Sequence, residues 1–276
     1  MFNIADFIRK IPPNWELLIN LALKNIKVQY RQPWLGFLWA FFVPLFMIII
    51  FKFIFSVILR IQIAEYPFFI YLMTAVFPWK YFQDSVVSGT NSILNNKNLV
   101  KEAAFPRELL PISVVIANLI NFIPSLVIMF LFLHIFRLGI SGWFLLLPVI
   151  VLLHTFFIIG FVLLTSCLQV KFRDLNYIVE VLVFALFYLT PVFYPLNLVE
   201  QYLNPGLFKL YIANPLVGML NLYRIAFLPG FYRTLPEQVQ IFDIIVIPLI
   251  WTGFIFATGI FVFRKQKYTF NDYIAI

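Results

Sequence analysis

Apolar and polar positions along this chain fall into blocks. Mostly apolar blocks run over residues 35–59, 67–88, 112–136, 143–168 and 177–195, and a sixth, 241–263, follows a long gap. Each is close to the roughly 20 residues that a helix needs to cross the hydrocarbon core of a bilayer. The pattern therefore predicts an all-α integral membrane protein with six transmembrane helices. One block resists this reading. Residues 207–228 are nearly long enough to span, yet they hold Lys209 and Arg224, are broken by Asn214-Pro215 and follow Asn204-Pro205-Gly206.

The placement of cations resolves the parity. With six crossings, most Lys and Arg residues, including Lys24, Lys27, Lys97, Lys101, Arg107, Lys171 and Arg173, share one side with both termini. A seventh crossing would carry Arg264, Lys265 and Lys267 to the cation-poor side. The positive-inside rule thus places both termini in the cytoplasm. Residues 207–228 then read as two half-helices that dip into the outer leaflet and return, a form that must be buried in protein or line a cavity.

The polar segments between the blocks carry patterns of their own. Over residues 14–31, Trp15, Ile19, Ala22 and Ile26 share one helical face, with Asn20, Lys24, Lys27 and Arg31 opposite. Such a helix lies in the inner membrane interface or packs on a cytoplasmic domain. Residues 89–107 are the most polar stretch, with Asn91 or Ser92 placed to cap a short helix running to Ala104. This is either a surface on which a partner docks or a solvated connector. The whole chain, 1–276, reads as one membrane domain: an interfacial helix over 1–31, five spans within 32–195 with a polar loop at 89–111, a re-entrant region over 196–240, a last span at 241–263 and a cytoplasmic tail from 264. Nothing at the amino terminus resembles a signal peptide.

Composition excludes the soluble alternatives. Of 276 residues, 63% are hydrophobic and 12% charged, far from the roughly 45–50% and about 25% of a soluble domain. The net charge of +8 would suggest nucleic acid in a soluble protein; here the excess is a topology signal, and no nucleic-acid partner is expected. The single cysteine, Cys167, excludes an internal disulfide and a cysteine-based zinc cluster.

The candidate chemistry is that of passage, and no enzyme is expected. No phosphate-binding glycine motif is present, so any ATP that drives the protein binds to another polypeptide. Lys80 and Asp84 stand one helical turn apart inside the second block, where they can pair with each other. His154 and His134 have no metal-ligand spacing, and no metal is expected. In the fifth block, Glu180, Phe184, Phe187, Pro191 and Tyr194 share one face, flanked by Tyr188. This face meets lipid or forms the wall of a path, and aromatic faces hold sugar rings through CH groups without fixed charge.

Five local matches, in order along nearly the whole chain, carry a family resemblance. They are the run Tyr30-Arg31-Gln32-Pro33-Trp34-Leu35-Gly36-Phe37-Leu38-Trp39-Ala40; Phe77-Pro78-Trp79-Lys80-Tyr81-Phe82; the inner loop with Asn98-Leu99-Val100-Lys101 and Phe105-Pro106-Arg107; Phe172-Arg173-Asp174-Leu175; and Thr190-Pro191-Val192-Phe193-Tyr194-Pro195, followed by Asn214-Pro215. The chain resembles the permease subunit of ABC-2 polysaccharide exporters, which move O-antigen, capsule or teichoic-acid chains out of bacteria. The resemblance implies a homodimer in the bacterial inner membrane, working with two copies of a separate ABC ATPase that binds ATP and magnesium. It implies that spans one and five line a channel, with Trp39, Phe184, Phe187, Tyr188 and Tyr194 as wall residues for a lipid-linked polysaccharide. It implies coupling to the ATPase through Asn91, Lys97, Lys101, Glu102 and Arg107, and an outer gate that includes Asn214, Pro215 and Arg224. Lys80 departs from the aromatic or apolar residue expected at its place. Two other functions stay open at this point, an ABC-2 pump for small lipophilic molecules and an integral membrane transferase.

Overall fold

The computed structural model describes residues 14–29, 38–58, 66–102, 106–267, 270 and 273. It is helical over most of these residues, with no strand among them. Helix α1 (Trp15–Gln29) precedes α2 (Trp39–Phe51), which continues as a π-helical stretch over Lys52–Ile58. Then come α3 (Phe68–Thr90), a 3-10 turn at Leu94–Asn96, the short α4 (Lys97–Glu102) and α5 (Leu109–Ile135). A second 3-10 turn, Gly142–Leu146, leads into α6 (Leu147–Lys171), followed by α7 (Leu175–Leu189). Three shorter helices, α8 (Leu196–Tyr202), α9 (Pro205–Ile212) and α10 (Pro215–Phe227), precede the last, α11 (Ile241–Gln266).

Three helical stretches among the described residues have the length and apolar character to cross a membrane: Leu109–Ile135, Gly142–Lys171 and Ile241–Gln266. Shorter apolar helices cover Leu45–Ile58 and Leu175–Leu189. Helix α3 is long enough as well, but its sequence includes Lys80 and Asp84. It lies at the centre, packed against α2, α5, α6, α7 and α10, and most of its residues are buried.

Two close approaches fix the frame. A Cβ built at Gly259 of α11 would lie 2.2 Å from the Gly160 carbonyl oxygen of α6, and one at Gly160 would lie 2.6 Å from the Phe256 backbone. Only glycine allows the two backbones to meet this closely, as in small-residue contacts between membrane helices. Gly218 of α10 has the same role against Pro248 of α11, with a built Cβ 2.4 Å from Pro248 Cγ.

The break in residues 207–228 is as the two Asn-Pro steps predict. Asn204 Oδ1 accepts from the Leu207 N–H and Asn214 Oδ1 from the Leu216 N–H, each capping a helix whose first residue is proline. Proline suits that position because its missing N–H would have no intrahelical partner there.

Helix α1 differs from its expected facing. Leu18, Leu21 and Ala22 are buried against α5, and Asn25 donates to Ser113 Oγ at 3.1 Å. Trp15 and Leu23 stay exposed, with Ile19 and Ile26 half-buried. The helix thus splits its apolar surface between α5 and an open flank, because hydrophobic spacing alone does not tell a protein-facing stripe from a lipid-facing one.

Candidate functional site

The aromatic residues of α7 divide by burial. Phe184 is 64% exposed and Tyr188 is exposed, whereas Phe187 is 6% exposed and packs between Phe51, Trp79 and Phe193. Phe51 and Phe55, one turn apart on the α2 stretch, meet Phe193 with ring centroids 5.5 and 4.8 Å away. The C-terminal ends of the α2 stretch and α7 are therefore joined by an aromatic seam. Phe184 and Tyr188 sit at its edge, their rings 5.2 Å apart. Tyr194 closes it from above, donating to the Tyr188 carbonyl at 2.8 Å and lying 3.1 Å from the Tyr211 hydroxyl. Trp39 lies at the other end of α2, where its ring meets Phe42. The sequence reading missed Phe51 and Phe55, whose only signal is an i, i+4 pair of phenylalanines.

Behind the seam, Arg224 of α10 is fully buried. Its Nη2 donates to the carbonyls of Pro191 and Val192, the latter at 3.0 Å, and Nη1 reaches Asn221 Oδ1 at 3.4 Å. The guanidinium also stacks 4.0 Å from the Tyr71 ring centroid, within the range of a cation–π contact. Helix α7 stops at Leu189 because Thr190 turns extended before Pro191, and a proline inside a helix would lack its N–H and clash with the preceding turn. The carbonyls that Arg224 holds are those of Pro191 and Val192, in the extended stretch just past this stop. Tyr71 adds a bond to the Tyr194 carbonyl at 3.0 Å, and Tyr66 one to the Pro229 carbonyl at 2.7 Å. Burial pushes the Tyr211 phenol above its ordinary pKa, and neighbouring Tyr194 adds to the shift, so Tyr211 remains a protonated donor or acceptor. Asn214 and Pro215 open α10, and the Asn214 N–H donates to the Tyr211 carbonyl at 3.2 Å.

The polar segment that follows α3 forms a 3-10 turn and a six-residue helix, without the expected cap. Asn91 instead ends α3, and its Oδ1 accepts from Gln169 Nε2 at 3.3 Å. Ser92 Oγ is buried without a hydrogen-bond partner, so it does not cap the turn either. Lys97 and Lys101 are exposed, while the Glu102 side chain lies outside the described residues. Arg107 points inward, donating to the Lys267 carbonyl at 2.6 Å and the Val100 carbonyl at 3.4 Å. Beside it, the Lys267 Nζ stands 3.7 Å from Glu108 Oε1. Lys24 of α1 donates to Asn96 Oδ1 at 2.9 Å. The exposed turn is thereby tied to both α1 and the end of α11, a placement suited to passing on a push from a docked partner.

Residues 16–228 match the family model described as the ABC-2 type transporter. The chain belongs to the ABC-2 type transporter family. As a member it is a multi-pass membrane subunit of a transporter, and the family implies an ABC ATPase partner. It is 31% identical over 254 residues to the "O-antigen export system permease protein RfbA" of Myxococcus xanthus, covering 91% of this chain and 94% of that protein. It is also 32% identical over 262 residues to a protein of the same name from Klebsiella pneumoniae, covering 94% and 95%.

Proposed function

We propose that this ABC-2 subunit forms the membrane channel of an ATP-driven exporter that moves a lipid-linked polysaccharide of the O-antigen type across the bacterial inner membrane. The observation that carries this reading is full-length similarity to two proteins named for O-antigen export. The aromatic seam between α2 and α7 supports it with a surface suited to sugar rings.

In this reading α2, α3, α5, α6, α7 and α11 are the six spans, both termini are cytoplasmic, and α9 with α10 forms a re-entrant outer gate. Two copies of the chain enclose the path, each seated on one copy of the ATPase that binds ATP and magnesium. Phe184, Phe187, Tyr188, Tyr194 and Trp39 form its wall. Lys97 and Lys101 meet the ATPase, with Asn91, Glu102 and Arg107 holding the turn around them. ATP binding moves this turn, the aromatic seam parts, and Phe187 becomes accessible to the polymer. Each sugar contact is weak and replaceable, so the chain slides and repeated cycles advance it.

Deletion of this subunit tests the proposal. Surface polysaccharide should vanish while lipid-linked polymer accumulates inside the cell. Unchanged surface polysaccharide would overturn it.

A further inference from the structure

Helix α3 is packed on most sides, but one face of its C-terminal half is only partly covered. Lys80 and Asp84 lie on that face with their side chains 30% and 34% exposed, paired at 2.5 Å. Gln83 is half-buried beside them, and Ser88, one turn further, is exposed. Ser88 Oγ donates to the Asp84 carbonyl and accepts from Asn118 Nδ2 of α5 at 3.3 Å. The line continues where Asn121 of α5 donates to Gln29 Oε1 of α1 at 3.1 Å, leaving the buried Asn121 Oδ1 unpartnered. From Lys80 to Ser88 the face extends about 12 Å along the axis.

Lipid tails cannot cover such a face, because an ion pair and amides in hydrocarbon lose their hydration without replacement. The pair cancels its own charge, so the face does not favour a free anion. What it offers is a mixture of donors and acceptors, Lys80, Gln83, Asp84 and Ser88, with every fourth residue about 6 Å further along the axis. We propose that this face lines a water-filled entry to the export path and hydrogen-bonds the hydroxyl groups of the polysaccharide. The inference rests on the reading of the chain as a polysaccharide exporter and extends it, assigning a polar inner section in addition to the aromatic outer one.

Cysteine labelling tests it in the assembled transporter. The native Cys167 is buried and can be replaced by serine. Gln83→Cys and Ser88→Cys should react with a membrane-impermeant sulfonated maleimide presented from the cytoplasmic side. Ile123→Cys should not, although Ile123 is exposed and lies five residues outward of Asn118, as Gln83 does from Ser88. Labelling should slow in membranes from cells that make the polymer, relative to cells in which its synthesis is blocked. Absence of reaction at positions 83 and 88, or reaction unaffected by polymer, would overturn the proposal.

A second arm separates substrate contact from simple pairing. Replacing both partners, Lys80→Met with Asp84→Leu, removes the pair without leaving a lone charge. Surface polymer should fall about tenfold at normal membrane levels, the equivalent of one lost charge-assisted hydrogen bond. Wild-type export by this double variant would show the pair to be structural and overturn the assignment. Failure of the exporter reading would show separately, as surface polymer that survives deletion of the whole chain.

Discussion

Helix α10 and the turn that ends in α4 are both short interruptions between longer helices, but their polar groups have opposite fates. Every residue of α10 from Leu216 to Phe227 is buried, including Arg224 and Asn221, and each of those two polar side chains finds partners inside the protein. Helix α4 buries Val100 but presents Lys97, Asn98 and Lys101 to solvent, and the segment around it is tied down by Lys24, Arg107 and Asn91. The first element is built to hold the molecule to itself. The second leaves its charges available to another protein.

Breaking this contrast should have graded effects. The largest is expected for Arg224→Met, which strands the Pro191 and Val192 carbonyls at the end of α7. A loss of about 3 kcal/mol should follow, seen as a lower unfolding temperature in detergent, since bonds from a charged donor contribute more than neutral ones. Arg224→Lys should recover part of the loss. Next is Gly259→Leu, which forces the α6 and α11 backbones apart; overpacking of this kind costs about 1–3 kcal/mol and should show in the same melt. Charge reversal at the exposed turn, Lys97→Glu with Lys101→Glu, should change stability by no more than about 0.5 kcal/mol, as exposed substitutions do. It should nevertheless abolish co-purification of the ATPase, and normal export by this variant would remove these cations from the docking surface. The smallest effect is expected for Lys24→Ala, which removes one exposed hydrogen bond to Asn96. Its melt should stay within about 1 kcal/mol of the parent, with a modest fall in transport-coupled ATP use.

The same contrast separates what was legible in the sequence from what was not. Residues 112–136, 143–168 and 241–263 match α5, α6 and α11 closely, since a long apolar run leaves few alternatives to a long helix. The two Asn-Pro steps marked the starts of α9 and α10 because capping is local chemistry. Helix α7 ends at Leu189, six residues before the apolar run does, because Thr190-Pro191 overrides hydropathy. Helix α8 carried no clear signal, being short and of mixed composition. Arg224 could be placed near the gate but its partners could not be foreseen, as they come from α3 and the end of α7, more than thirty residues away in sequence. Phe187 sat on the expected face, yet whether that face is open or sealed depends on Phe51, Trp79 and Phe193 from three other segments.

The contact between Gly160 and Gly259 has a practical consequence for following the transport cycle. Two backbones that touch without intervening side chains are in the closest contact that helices make, so α6 and α11 should move as one body. Spin labels placed on these two helices should report one distance throughout turnover. That fixed length gives an internal ruler, against which the displacement of any label on α2 or α7 can be measured in the working transporter.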